Sequence, residues 1–174
     1  REAFQGVAMT NERELGASQS PISSQSNAFL EVEGDRWFER NQTALDSEPS
    51  HFGTDTIKRV LQKSNFIIND ILEIGCGNGA KLNNLCNYFE GNGSGIDPSA
   101  AAIANGNELY KDLNLSVATA SDLPYDNDYF DLVYFGFCLY LLDRNDVLKA
   151  VAECDRVLKT GGFLAILDFD PKQR

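Results

Sequence analysis

An α/β domain built on a parallel sheet is the architecture that this chain predicts, and three observations carry it. From residue 66 onward, short apolar runs alternate with amphipathic stretches, the rhythm of strands joined by crossover helices. The runs are apolar nearly throughout, as strands buried on both faces must be. The first of them, residues 71–74, leads straight into glycines at 75, 77 and 79, where a strand, a turn and a helix would meet.

The elements follow in order. Residues 1–27 are rich in Ser, Gln and Asn in their second half and read as a flexible tail. The chain opens on Arg1 and its one methionine is Met9, so residues 1–8 read as a vector-derived remnant or a processed leader. Residues 28–63 read as a helical lead-in. Phe29, Leu30, Trp37 and Phe38 stand among charges, and the segment TDTIKRVLQKS predicts a helix capped by Thr54 or Asp55, with Ile57, Val60 and Leu61 on one face. Residues 64–174 form the core unit. Strands are expected at 67–75, 93–97, 115–119, 130–137 and 161–169, and helices at 79–90, 99–111 and 145–158.

Composition narrows the function. The hydrophobic fraction is 43% and the charged fraction 24%, ordinary values for a globular chain of 174 residues with one core. A net charge of −11 disfavours a nucleic-acid partner, whose phosphates are held by Lys and Arg patches. No apolar run approaches the roughly 18 residues needed to cross a membrane, so no membrane association and a cytoplasmic location are expected. Cys76, Cys86, Cys138 and Cys154 form no Cys-x-x-Cys pair and read as buried free thiols; no metal site is expected. The oligomeric state is left open.

The glycines supply the first functional signal. Gly75, Gly77 and Gly79 remove side chains where the backbone would otherwise be covered, and the helix that follows presents free N–H groups. Together they form a shelf for a nucleotide-like ligand at the carboxyl end of the first strand. The pattern at Gly75, Gly77 and Ala80 also fits dinucleotide enzymes, so the glycines alone do not choose between ligands. Glu73 points away from a dinucleotide, because a carboxylate there repels a pyrophosphate; it attracts a cation or orients the loop through backbone N–H groups. Asp97, ending the second strand, is placed to accept from both ribose hydroxyls. Asp122 is a candidate acceptor for an adenine amino group, with the Leu123 N–H donating to the ring.

The segments LEIGCGNG, GIDPS, ATASDLPYDNDYFDLV and RVLKTGGFLAI resemble, in order and spacing, the signature segments of class I S-adenosylmethionine-dependent methyltransferases over residues 66–169. The resemblance implies a Rossmann-like sheet with helices on both faces and S-adenosylmethionine as cofactor. It implies that Glu73, Gly75, Cys76, Gly77 and Gly79 form the loop beneath the methionine and ribose parts. It further implies that Asp97 holds the ribose hydroxyls beside Pro98, that Asp122 and Leu123 read the adenine edge, and that Phe135, Gly136 and Phe137 floor the site near the sulfonium. The acceptor it implies is a small molecule. The segment FLEVEGDRWFERN also resembles the start of small methyltransferases of surface-glycan and modified-sugar biosynthesis, which implies a sugar or glycan precursor. Trp37 and Arg40 are candidates to close over the cofactor, with Arg40 pairing its carboxylate.

The pattern departs from the family in places. The segment after the fourth strand reads Leu139-Tyr140-Leu141 rather than a Leu-His-His-like sequence, and the Asn-Pro-Pro-Tyr signature of amino-group methylation is absent. His51 and Tyr140 remain as candidates for a general base. The family's sheet continues into strands 6 and 7, whereas this chain stops at Arg174, so a domain cut short at its carboxyl end is expected. An NAD-dependent oxidoreductase and a non-catalytic cofactor-binding fragment are the alternative readings.

Overall fold

The computed structural model describes residues 32–47, 53–64 and 66–168. The expected tail lies outside them, as do Phe29, Leu30 and His51. Two helices come first, α1 (Gly34–Ser47) and α2 (Thr54–Leu61). The remainder alternates: β1 (Asp70–Ile74), α3 (Ala80–Phe89), β2 (Asn92–Asp97), α4 (Ala100–Leu109), β3 (Leu113–Val117), β4 (Phe130–Gly136), a single 3₁₀ turn (Leu139–Leu141), α5 (Arg144–Val157) and β5 (Leu158–Leu167). The five strands form one sheet in the order β3-β2-β1-β4-β5, and every pairing is parallel.

This is the expected Rossmann-like layering, and the sequence dictates it through the side-chain alternation of each strand. On β1, Ile71 faces one layer and Leu72 and Ile74 the other. The first layer packs Ile57 and Leu61 of α2, Leu82, Leu85 and Cys86 of α3 and Ile103 of α4 against Leu132 and Tyr134 of β4. The second packs Ala150, Cys154 and Val157 of α5 against Val133 and Phe135. A buried sheet needs such cover on both faces. All four cysteines are free, and three are buried, as their apolar surroundings led one to expect.

The details differ from expectation at α2. Gly53 occupies the cap position, and Thr54 begins the helix, fully buried, with its hydroxyl bonded to Asn84 at 3.1 Å. Val60 is exposed although its spacing grouped it with Ile57 and Leu61. The 57 and 61 positions lie nearer each other around a helix than either does to 60.

Two clusters of polar contacts brace the sheet and its longest connection. At the amino end, Asp131 accepts from the backbone N–H groups of Asn69 and Asp70, both at 2.9 Å, and Lys159 bridges Asp131 and Asp70. Near the start of β5, Arg156 of α5 donates to the carbonyls of Leu123 at 3.0 Å and Tyr125 at 2.7 Å, while Glu153 accepts from the Leu123 N–H at 2.8 Å. That grip holds the long β3–β4 connection against α5.

Gly106 shows how tightly α4 packs on the glycine loop, since a Cβ there would run into the carbonyl oxygen of Asn78. An alanine in a helix interior ordinarily stabilises by about 0.5–1 kcal/mol over glycine. Gly106→Ala is expected to do the reverse and lower stability by about 1–3 kcal/mol, the usual cost of overpacking; urea denaturation of both proteins checks it.

Candidate functional site

The carboxyl ends of β1, β2 and β4 converge on a groove made of two cavities that share Gly75. One is polar and is lined by Trp37, Glu73, Gly75, Cys76, Gly77, Asn78, Ala80, Lys81 and Asp97. The other is mostly apolar. Its walls are Ile74, Ile96 and Pro98, then residues 118–121 beyond β3, then Cys138, Leu141 and Leu142 beyond β4, with Asp146 from α5.

The loop between the cavities takes its shape from glycine. Gly75, Gly77 and Gly79 have φ of 74°, 53° and 83°, a region that residues with a Cβ seldom adopt. A side chain on Gly75 would collide with the Cys138 sulfur at 2.6 Å, whereas one on Gly77 would meet nothing within 4 Å. The backbone at Gly77 therefore faces open space, and Gly79, two residues on, caps α3.

Asp97 ties this loop to β2. Its Oδ2 accepts from the Gly77 N–H at 2.8 Å and its Oδ1 from the Ser99 N–H at 2.9 Å. Burial pushes its carboxyl above the ordinary value, and these N–H groups pull it back. Each oxygen keeps a further acceptor position. The lead-in helix is fastened to the same corner. Asp35, in the first turn of α1, accepts from the Ser99 hydroxyl at 2.7 Å and the Ala101 N–H at 3.0 Å, contacts that lower its pKa. Trp37, two residues on, thereby stands over the polar cavity, 42% exposed.

Glu73 is the most unusual member. It is 1% exposed, it lies on the sheet face that carries Tyr134, and its Oε2 and the Tyr134 hydroxyl oxygen have no hydrogen-bond partner among the described residues. Gly136 admits it, because a Cβ at that position would stand 2.5 Å from Oε1. Burial pushes the Glu73 carboxyl up to about 8; the adjacent Tyr134 hydroxyl and the Lys81 ammonium oppose the rise, and Asp97 adds to it. An acid held so far from water without a full set of partners is a candidate functional group.

The other candidates separate. Gly75, Cys76, Gly77, Asp97 and Pro98 line the groove, and Gly79 starts the helix behind it. Phe135 is fully buried between β4 and α5. Phe137 adopts φ of 60°, with the Lys81 ammonium 4.8 Å from its ring centre. Arg40 is paired with Glu33 at 2.5 Å and lines neither cavity. Tyr140 is 55% exposed on the 3₁₀ turn and also lines neither. Asp122 is exposed and outside both cavities, and the Leu123 N–H is given to Glu153. The residues that line the apolar cavity from this connection are Thr119, Ala120 and Ser121, just upstream. Lys81, Asn78 and Asp146 were not anticipated. Lys81 could have been found in the first turn of the helix after the glycines; Asp146 carries no local signal.

A parallel sheet with a glycine loop after its first strand and an acid at the end of its second defines a nucleotide-cofactor-binding α/β protein. The particular family follows from comparison. Residues 72–166, more than half of the chain, match the methyltransferase-domain family model, and the chain belongs to that family, within the class I S-adenosylmethionine-dependent methyltransferases. It is 33% identical over 106 residues to YxjB of Bacillus subtilis (strain 168), whose name proposes 23S rRNA (guanine-N(1)-)-methyltransferase activity; the match covers 54% of this chain and 38% of YxjB. It is 44% identical over 52 residues to the ubiquinone/menaquinone biosynthesis C-methyltransferase UbiE of Vibrio vulnificus (strain YJ016), covering 30% of this chain and 19% of UbiE. Among solved structures it resembles CalS10, an amino pentose methyltransferase from Micromonospora echinaspora, with TM-score 0.67 and 19% identity over 78% of this chain and 58% of that one. It also resembles the sugar N-methyltransferase KedS8 from Streptoalloteichus sp., with TM-score 0.64 and 20% identity over 96% and 60%. These two share the fold. The matches thus span less than two thirds of the relatives' own lengths. Among the described residues no helix is long and apolar enough to cross a membrane.

The buried acid sets a pH dependence. A carboxyl raised from 4.5 to about 8 on folding makes the native state bind more protons than the unfolded one between those values. Its neutral form contributes stability that is whole below about 4.5 and lost as pH rises through about 8. Glu73→Gln, which keeps the shape without the charge, is expected to match the parent near pH 5 and exceed it by about 3–5 kcal/mol above pH 8. Denaturant midpoints across that range provide the check.

Proposed function

We propose that the chain binds S-adenosylmethionine in the two-cavity groove and transfers its methyl group to an oxygen or nitrogen of a small molecule. The observation that carries this reading is Glu73, a buried acid with an unpartnered oxygen lining the polar cavity at the glycine loop. A zwitterionic ligand with an ammonium group supplies the missing donor. A pyrophosphate would bring two negative charges and no donor to a corner lined by the carboxyls of Glu73 and Asp97, which opposes an NAD-dependent reading.

The residues present fit the cofactor. Glu73 and the open backbone at Gly77 suit its amino-acid end, Asp97 its ribose hydroxyls, and the apolar cavity its base. The cofactor supplies an activated methyl group on a sulfonium. The chain supplies position: the rigid corner at Asp97 and Ser99 fixes the groove, and alignment of a nucleophile on a preset axis accounts for much of a methyl transfer's barrier. The catalytic base remains to be assigned. Tyr140 is near the carboxyl end of the sheet and His51 lies outside the described residues. Trp37 lines the polar cavity and is 42% exposed, and aromatic rings stack on sugars, so a sugar or glycan precursor is the acceptor to test first.

Calorimetry with S-adenosylhomocysteine and with NADH separates the cofactor readings. The former is expected to bind and the latter not. Asp97→Ala is expected to weaken binding of S-adenosylhomocysteine by about 1–3 kcal/mol, the range for a lost hydrogen bond to a charged group; undiminished binding in the variant contradicts the ribose assignment.

A further inference from the structure

We propose that Asp35 is a positioning residue for the transfer reaction: by fixing the roll of α1 against α4 it holds Trp37 over the polar cavity, and so couples closure of that cavity to occupation of the groove. The inference rests on the cofactor reading above and deepens it.

The helix α1 packs on α4 and is held in two ways. Phe38 is buried, 4% exposed, and burial of that kind is indifferent to direction. Asp35, three residues earlier on the same face of the helix, supplies direction. Its Oδ1 accepts from the Ser99 hydroxyl at 2.7 Å and from the Ala101 N–H at 3.0 Å, both at the start of α4. Trp37 lies about 100° around the helix from Phe38. With Phe38 alone as anchor, α1 could rock about its axis and carry Trp37 off the cavity; the bonds of Asp35 prevent that roll.

The same bonds reach the groove. Ser99, 2% exposed, gives its N–H to Asp97 at 2.9 Å, and its hydroxyl oxygen also accepts from the Ala102 N–H at 3.0 Å. Asp97 and Trp37 both line the polar cavity. A ligand that engages Asp97 therefore steadies Ser99, Asp35 and the roll of α1 together. Such coupling is reciprocal, so a firmly docked α1 also tightens the ligand.

Asp35 is also an acid in the first turn of α1, where it favours the helix dipole. Any first-turn acid would serve that purpose, so the test includes one. Trp37 is the one tryptophan of the chain, and its fluorescence reports this helix alone. Acrylamide quenching of Trp37 is measured in the full chain during titration with S-adenosylhomocysteine. In the parent, saturation is expected to shield Trp37. In Asp35→Ala, Trp37 is expected to be more accessible from the start, the shielding to be lost, and the affinity to fall by about 3- to 10-fold, the weight of a typical hydrogen bond. The double variant Asp35→Ala, Arg36→Glu returns an acid to an exposed position of the same turn and is expected to behave like Asp35→Ala. An unshielded Trp37 in the saturated parent, shielding that survives in Asp35→Ala, or shielding regained in the double variant overturns the proposal and leaves the cofactor site standing. If the parent does not bind S-adenosylhomocysteine, the cofactor reading falls and this proposal with it. Should Asp35→Ala not fold, Asp35→Ser, whose side chain is a bond shorter than the carboxylate, decides by the same criteria.

Discussion

One carboxylate organises this structure. Asp97 accepts from Gly77 on the loop after β1 and from Ser99 at the start of α4, both below 3 Å. The first of them joins the loop after β1 to the end of β2, beside the backbone bonds that Gly75 and Cys76 make to the Ile96 carbonyl, and the second folds the chain after β2 back onto the same carboxylate. They also set the loop in a conformation that leaves its backbone uncovered. Ser99 passes the constraint on, since its hydroxyl both caps α4 and donates to Asp35 of the lead-in helix. The groove is therefore built before any ligand arrives, and less ordering remains to be done on binding.

Glu73 stands in tension with that order. A buried acid with an open valence costs free energy in the native state, and the protein meets the cost by keeping the group neutral at ordinary pH. Gly136 gives up a side chain to make room for it, and the Tyr134 hydroxyl beside it offsets only part of the cost of burial. Strain of this sort belongs where a ligand completes the set. The left-handed backbone of Phe137, under the Lys81 ammonium, is a second feature of the same corner.

Much of the fold was legible because a parallel sheet writes itself plainly. Strands buried on both faces must be apolar throughout, and the helices between them show one apolar face. The glycine loop was equally clear, since few residues tolerate its backbone. What failed was contact across distance. Asp122 and Leu123 look like base-reading groups in a linear segment, and nothing local reveals that Glu153 and Arg156, thirty residues on, draw that segment to α5. Trp37 and Arg40 are three positions apart on one helix, yet one covers the groove and the other pairs with Glu33, a choice made by how Asp35 anchors α1. Asp146 was invisible for the same reason: it lies on a helix whose apolar face read only as core.

The central claim is that two adjoining cavities form a single groove for an adenosyl amino acid, with Glu73 and Asp97 as its acidic contacts. A crystal structure of the chain grown with S-adenosylhomocysteine tests this directly. The account requires the base in the apolar cavity, the ribose on Asp97 and the ammonium end within hydrogen-bonding reach of Glu73. A ligand bound outside both cavities, or one lying in them with Glu73 and Asp97 untouched, would contradict it.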